Sequence, residues 1–217
     1  MTSMARGVLD YAGGSGSTAS AYAPLTAPPN VSGMTWMNQQ AGATKTSNSD
    51  GSYSISSPSA GPAQSITHVG TSLHAVPYTI ELGCVFSMNL TNHPVIAAGL
   101  GITDGTKLVT FWLVGDLTAV TQVGVSQYTN TGTLSLTPRQ VSVGSYFSFA
   151  QPTFFRIVDD GVNRTFSISN SGRLFLPIYT DTSNNFVTPT RYGPAFQGYS
   201  AGPSDLVLID VFHQKVT

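Results

Sequence analysis

The sequence predicts an all-β chain, an antiparallel two-sheet sandwich of the jelly-roll type with an extended N-terminal arm. Three observations support this class. Only 9% of the 217 residues are charged, against about 25% in ordinary soluble domains, and the chain holds 22 Gly and 13 Pro. About eleven short runs rich in Val, Ile, Thr and aromatic residues are separated by turn residues. No window has the period of a long amphipathic helix.

The predicted strands follow one another at short intervals. They cover residues 34–40, 52–56, 78–88, 94–103, 107–114, 119–127, 153–158, 163–169, 174–179, 192–199 and 205–213. In 78–88 one side carries Ile80, Leu82, Cys84 and Phe86 and the other side is polar, which is the pattern of a strand with one buried face. The run 205–213 is apolar on both faces, so we expect it at the centre of a sheet.

Two hairpin turns are explicit in the sequence. Residues 103–107 and 159–163 each contain an Asp-Gly pair between strong strands. Glycine accepts a positive φ and aspartate bonds the local backbone, so these pairs indicate tight hairpins. The adjacent acids Asp159 and Asp160 are therefore interpreted as turn residues.

The first 33 residues are predicted to form an arm, and residues 34–217 the sandwich domain. Residues 11–33 are rich in Gly and Ser and then in Pro, the composition of a linker. Ahead of it, Val8, Leu9 and Tyr11 are the candidates for docking onto a partner. A segment this short does not fold alone, so a partner is expected to order it.

Charge and cysteine content restrict the partners. The net charge is −1, with 9 Lys and Arg scattered singly, so no basic stripe suits nucleic acid. Cys84 is the single cysteine, in an apolar run that predicts a buried, inert thiol.

Residues 1–10 lack the apolar core of a signal peptide and no run suits a membrane span, so we expect synthesis in a host cytoplasm. Weak charge favours packing into an assembly, including a homo-oligomer.

Residues 153–179 have a recognisable motif. They read aromatic-Arg-Ile-Val-Asp-Asp-Gly-Val-Asn, then an alternating strand and a Ser-Gly turn. Residues 34–40 and 95–111 and the closing strand 202–213 follow the same serial order. Over residues 34–214 the chain resembles bacteriophage structural proteins with a concanavalin A-like lectin/glucanase sandwich. The resemblance implies this fold and residence in a virion.

Hydrolytic members of that group carry a Glu-x-Asp-x-x-Glu strand, because glycoside hydrolysis needs two carboxylates across the sugar. Here Glu81 is followed by Leu82, Gly83, Cys84 and Val85. Four histidines, His68, His74, His93 and His213, stand apart without ligand spacing, and no nucleophile elbow is present. The sequence therefore predicts no enzyme, no catalytic residue, no metal and no cofactor.

Aromatic residues are the candidate ligand or interface residues, since their faces stack on sugars or pack on proteins. The candidates are Trp36, Trp112, Tyr128, Tyr146 and Tyr192. Core packing is the alternative for each of them. Trp112 alternates with Phe111 and Leu113 and is expected to be the most exposed.

The leading interpretation is a non-catalytic virion subunit of the capsid decoration or cement type, which binds neighbouring coat proteins through its arm and sandwich. The alternative is a tail-fibre or head-fibre lectin-like domain that binds host-surface glycans. A third interpretation is a free carbohydrate-binding module related to glycosidases.

Overall fold

The structure is a computed structural model that describes residues 25–58, 66–89, 96–115, 120–143, 146–183, 185–198 and 206–217. Within these residues a short 3-10 helix, Val31–Gly33, precedes fourteen strands. They are β1 (Thr35–Met37), β2 (Thr44–Ser47), β3 (Tyr53–Pro58), β4 (Ile66–Ser72), β5 (Tyr78–Asn89), β6 (Ile96–Thr103), β7 (Leu108–Gly115), β8 (Val120–Asn130), β9 (Thr133–Ser142), β10 (Thr153–Asp159), β11 (Arg164–Ser169), β12 (Leu176–Asp181), β13 (Arg191–Gly198) and β14 (Leu206–Val216).

The strands form two antiparallel sheets of seven strands each, counted over the described residues. The first sheet has the order β1-β4-β13-β6-β7-β8-β9 and the second the order β12-β11-β10-β5-β14-β3-β2. This arrangement confirms the predicted all-β sandwich. Each of the eleven predicted runs overlaps a strand, and β14 lies between β5 and β3 in its sheet, as its two apolar faces indicate.

Aromatic rings fill the space between the two sheets. Phe111 of the first sheet packs edge-to-face on Phe155 and Phe166 of the second, with ring centroids 5.3 Å and 5.7 Å away. Phe86 adds a further edge contact to Phe155 at 6.4 Å. Cys84 is buried in the same core, as predicted, and burial raises the pKa of its thiol.

The first sheet is strongly coiled, and it curls around its outer face, the face turned away from the second sheet. The backbone N–H of Ile66 in β4 donates to the carbonyl of Thr131, after β8, at 2.7 Å. The Tyr128 hydroxyl donates to Oε1 of Gln197 in β13 at 3.2 Å. Because β4 and β8 are separated by three strands in the sheet order, these bonds require the strands to curl towards each other.

Inside this coil the outer face carries a second apolar cluster. Its members are Ile66, Ala97, Leu108, Trp112, Val114, Tyr128 and Ala195. Trp112 packs edge-to-face on Tyr128, with ring centroids 5.8 Å apart, and is only 2% exposed. The expectation that Trp112 is exposed is therefore wrong. Alternation correctly places it on the face opposite Phe111, but the coil buries that face as well.

The predicted Asp-Gly hairpins are both present. Oδ1 of Asp104 accepts from the N–H groups of Thr106 and Lys107, and Gly105 has φ 100°. Oδ1 of Asp160 likewise accepts from Val162 and Asn163, and Gly161 has φ 90°. Over the described residues, no helix is long and apolar enough to cross a membrane.

Candidate functional site

A β-bulge in β14 determines which face His213 occupies. The register of β14 against β5 shifts between Val211 and His213, so that Val211 pairs with Cys84 and His213 with Gly83. Gly83 lies on the outer side of β5, beside Glu81. The bulge therefore places the imidazole on the outer face of the second sheet, although strict alternation from Val211 would turn it into the core.

Glu81, Arg156 and His213 form a charged cluster on this outer face. Oε1 of Glu81 accepts from Nε and Nη2 of Arg156 at 2.8 Å and 2.6 Å. Oε2 of Glu81 contacts Nε2 of His213 at 3.2 Å. The hydrogen bonds from His213 and then Arg156 lower the pKa of Glu81 to about 2, against the opposing effect of burial. Glu81 is therefore ionised at neutral pH and fully engaged by its two partners.

Arg156 is fixed from a second side by an aromatic ring. Its guanidinium carbon lies 3.5 Å from the centroid of Phe175, in the loop before β12. Such stacking leaves the edge of the guanidinium free to bond the carboxylate. The cluster is thus held by β5, β10, β14 and the loop before β12.

The chain segment that precedes the sandwich crosses this cluster. The backbone N–H of Thr26 donates to Nδ1 of His213 at 2.8 Å. The carbonyl of Thr26 accepts from the N–H of Gln214 at 3.2 Å. Because Nδ1 is an acceptor, the proton of the neutral imidazole is on Nε2, where it donates to Glu81. We call residues 25–30 the anchor segment.

The sequence-predicted site residues have very different exposures. Trp112 and Tyr128 are 2% exposed and Tyr192 is 3% exposed. Trp36 is half-buried and packs against the main core. Tyr146 is 78% exposed, so it is the accessible ring among the five. The arm candidates Val8, Leu9 and Tyr11 lie outside the described residues.

Tyr146 contacts the loop that joins β11 and β12. The Asn170 amide donates to the carbonyl of Tyr146 at 3.1 Å. The same loop carries the exposed Arg173 and Leu174, the latter 86% exposed. We call Tyr146 with residues 170–174 the Tyr146 surface. It combines an aromatic ring, an amide, a guanidinium and an apolar side chain.

The edge strands β9 and β12 lie beside each other at one flank of the sandwich. Leu134 and Leu136 of β9 are 39% and 55% exposed, and Leu176 of β12 is 60% exposed. Most of β9 is exposed on both of its faces. We call Leu134, Leu136 and Leu176 the leucine flank. Over the described residues, no group of three or more His, Cys, Asp or Glu side chains could hold a metal ion.

No protein-family model and no curated protein matches the sequence. Solved structures do share the fold. A functionally unknown protein from Saccharomyces cerevisiae is 11% identical with a TM-score of 0.61, over 87% of this chain and 98% of that chain. The carbohydrate binding module CBM66 from Bacillus subtilis is 9% identical with a TM-score of 0.55, over 89% of this chain and 99% of that one.

The comparisons correct one prediction from the sequence, that the chain is not an enzyme. Enzymes share this sandwich: the GH43 protein BlXynB from Bacillus licheniformis is 14% identical with a TM-score of 0.53, over 76% of this chain and 32% of that chain. The absence of a Glu-x-Asp-x-x-Glu strand argues against one arrangement of catalytic acids. It does not exclude catalysis. At such low identity the likeness shows the fold alone.

Proposed function

We propose that this chain is a structural subunit of a bacteriophage particle, of the capsid decoration or cement type, that binds neighbouring coat proteins. The leucine flank is the observation that carries the proposal. Exposed apolar side chains on adjacent edge strands are typical of protein-binding surfaces. Only 9% of the residues are charged, so little electrostatic repulsion opposes association at this flank. The motif resemblance over residues 34–214 supports the phage setting.

The anchor segment gives the sandwich a second means of attachment. It is bonded to β14 at His213 and Gln214, and its first residue, Leu25, is 55% exposed. The 24 residues before it can span at most about 80 Å if fully extended. That span would reach across a neighbouring subunit while the sandwich remains in place.

Removal of residues 1–24 tests the role of the arm. The truncation keeps Thr26 and its bonds to the sandwich, so the domain is expected to retain its melting temperature. Occupancy on purified particles, measured by quantitative mass spectrometry and cryo-EM, is expected to fall well below that of the full chain. Full occupancy of the truncated chain would overturn this role.

The leucine flank is tested by Leu136→Ser combined with Leu176→Ser. Both side chains are exposed, so the free energy of unfolding should change little, while particle occupancy should fall. Val162→Ser is the matched control, because Val162 is 67% exposed but lies in the β10–β11 hairpin. Equal occupancy of the flank variant and the control would contradict the proposed interface.

Glycan binding is the second candidate function, with the Tyr146 surface as its site. CBM66 is a carbohydrate binding module, and this chain spans 99% of it. An exposed ring beside amide and guanidinium donors is the chemistry that binds sugars. Glycan-array binding that survives in Tyr146→Phe and disappears in Tyr146→Ala would support this function. Absence of binding by the unmodified chain would count against it.

A further inference from the structure

We propose that His213 is a pH-sensitive latch, which holds the anchor segment on the second sheet at neutral pH and releases it in acid. The inference rests on the proposed function in one respect: release of the anchor segment would control attachment through the chain before Leu25. The latch itself is a property of the isolated sandwich.

The geometry at His213 leaves no place for a second ring proton. Nδ1 accepts from the Thr26 N–H at 2.8 Å, and Nε2 donates towards Glu81 at 3.2 Å. The imidazolium form carries a proton on both nitrogens and accepts at neither. Protonation would therefore point one N–H at another and break the bond to Thr26. The ring is only 2% exposed, so water does not reach Nδ1 freely while the segment is in place.

The charged groups around the His213 ring determine which of its two contacts protonation breaks. Glu81 on β5 stabilises a positive charge on Nε2, whereas Arg156 on β10 and Lys215 on β14 oppose it. The anchor segment itself carries no charged side chain, and Phe154 of β10 faces the ring at 5.8 Å. The packed elements also carry Asp159 at the end of β10, which is paired with Arg164, Asp210 on β14, and Asp50 in the turn before β3.

Protonation thus strengthens the contact with Glu81 and removes the contact with Thr26. The cluster on the sheet stays assembled, and the anchor segment keeps the bond from the Gln214 N–H to the Thr26 carbonyl, 3.2 Å long. Histidine side chains change charge between about pH 5 and 8. The inference is that release of the segment follows this change, without unfolding of the sandwich.

The test is amide hydrogen exchange of Thr26, measured by NMR on the full chain at pH 8 and pH 5. The protection factor, which corrects for intrinsic exchange, is expected to fall at least tenfold at pH 5, while core amides such as that of Ile80 stay protected. An unchanged protection factor at Thr26 would overturn the latch.

His213→Gln is the decisive variant. A glutamine oxygen can accept from Thr26 and its amide can donate to Glu81, but the side chain does not titrate. Protection at Thr26 is expected to be the same at both pH values in this variant. His74→Gln, which removes an exposed histidine, is expected to keep the pH response. Persistence of the response in His213→Gln would assign it to another group.

Should His213→Gln fail to fold, the imidazole nitrogen shifts of the unmodified chain provide the same answer. Protonation of Nδ1 and loss of Thr26 protection must then share one midpoint, and separate midpoints would overturn the proposal. Particle occupancy is not needed for any of these measurements. A working latch with full occupancy of the 1–24 truncation would retain the latch and reject the attachment role.

Discussion

The guanidinium of Arg164 holds the carboxylate of Asp159 across the ends of the β10–β11 hairpin. Nε and Nη2 lie 2.9 Å and 2.8 Å from Oδ2, and the two side chains are 2% and 0% exposed. Nη2 also donates to the carbonyl of Val187 at 3.2 Å, and Oδ1 of Asp159 accepts from the Gly161 N–H at 3.0 Å. One buried ion pair therefore ties the hairpin to the loop before β13.

Replacement of one partner of this ion pair should lower the free energy of unfolding far more than replacement of an exposed arginine. We expect Arg164→Met to lower the free energy of unfolding by about 3–5 kcal/mol, because it leaves the Asp159 carboxylate buried without its counter-ion. Arg173→Met, at an exposed site, should stay within about 0.5 kcal/mol. Urea denaturation of both variants measures the difference, and similar values would show that the pair contributes little.

The close approach of β7 to β6 requires glycine at position 99. A Cβ there would stand 2.2 Å from the Phe111 carbonyl oxygen and 2.7 Å from the Trp112 Cα, both backbone atoms. We expect Gly99→Ala to destabilise the chain by about 3 kcal/mol or more, or to prevent folding. Gly33→Ala is the control, since no atom beyond the adjoining chain lies within 4 Å of its Cβ position. Thermal unfolding that is equal in the two variants would refute the close approach.

Glu81 should make stability depend on pH in the acid range. Its pKa is lowered to about 2 in the folded chain from an ordinary value of 4.5, so its stabilisation is complete above pH 4.5 and disappears as the pH falls through 2. We expect Glu81→Gln to cost about 1–3 kcal/mol at pH 7 and progressively less towards pH 2. Denaturation curves between pH 7 and 2 measure this, and a constant difference would contradict it.

Trp112 and Tyr146 should respond to truncation in opposite ways. Trp112→Ala removes a buried ring of the second cluster and should destabilise by about 3–5 kcal/mol. Tyr146→Ala removes a ring that is 78% exposed and should change stability by less than about 0.5 kcal/mol. Calorimetry of both variants distinguishes a core role from a surface role. A stable Trp112→Ala variant would mean that the coil tolerates a cavity.

Local pattern was enough to predict most strands, because the runs of Val, Ile and aromatic residues alternate clearly between turn signals. Three strands gave no such signal. β2 is mostly exposed and consists of Thr, Lys and Ser. β9 is mostly exposed, contains Pro138, and is polar apart from Leu134, Leu136 and Val141. β4 contains His68 and Gly70, whose polarity and small size hide a strand that is buried along most of its length.

The charged cluster could be predicted only in part. Glu81 is the single glutamate and lies on the polar side of its strand, which marks it as unusual. The pairing with Arg156 depends on the register of β5 against β10, and that with His213 on the bulge in β14. Neither feature has a local sequence signature, because both follow from how the whole sheet packs.

The contact between Thr26 and Gln214 brings the start of the described chain to its last strand. Thr217 exchanges two backbone bonds with Thr79, at 2.7 Å and 3.0 Å, and is three residues from Gln214. Both ends of the sandwich therefore lie on the second sheet, within about 10–15 Å of each other by chain length. A short Gly/Ser connection between them would permit a circular permutant opened at the Gly105 hairpin, and insertion of the whole sandwich into a loop of another protein.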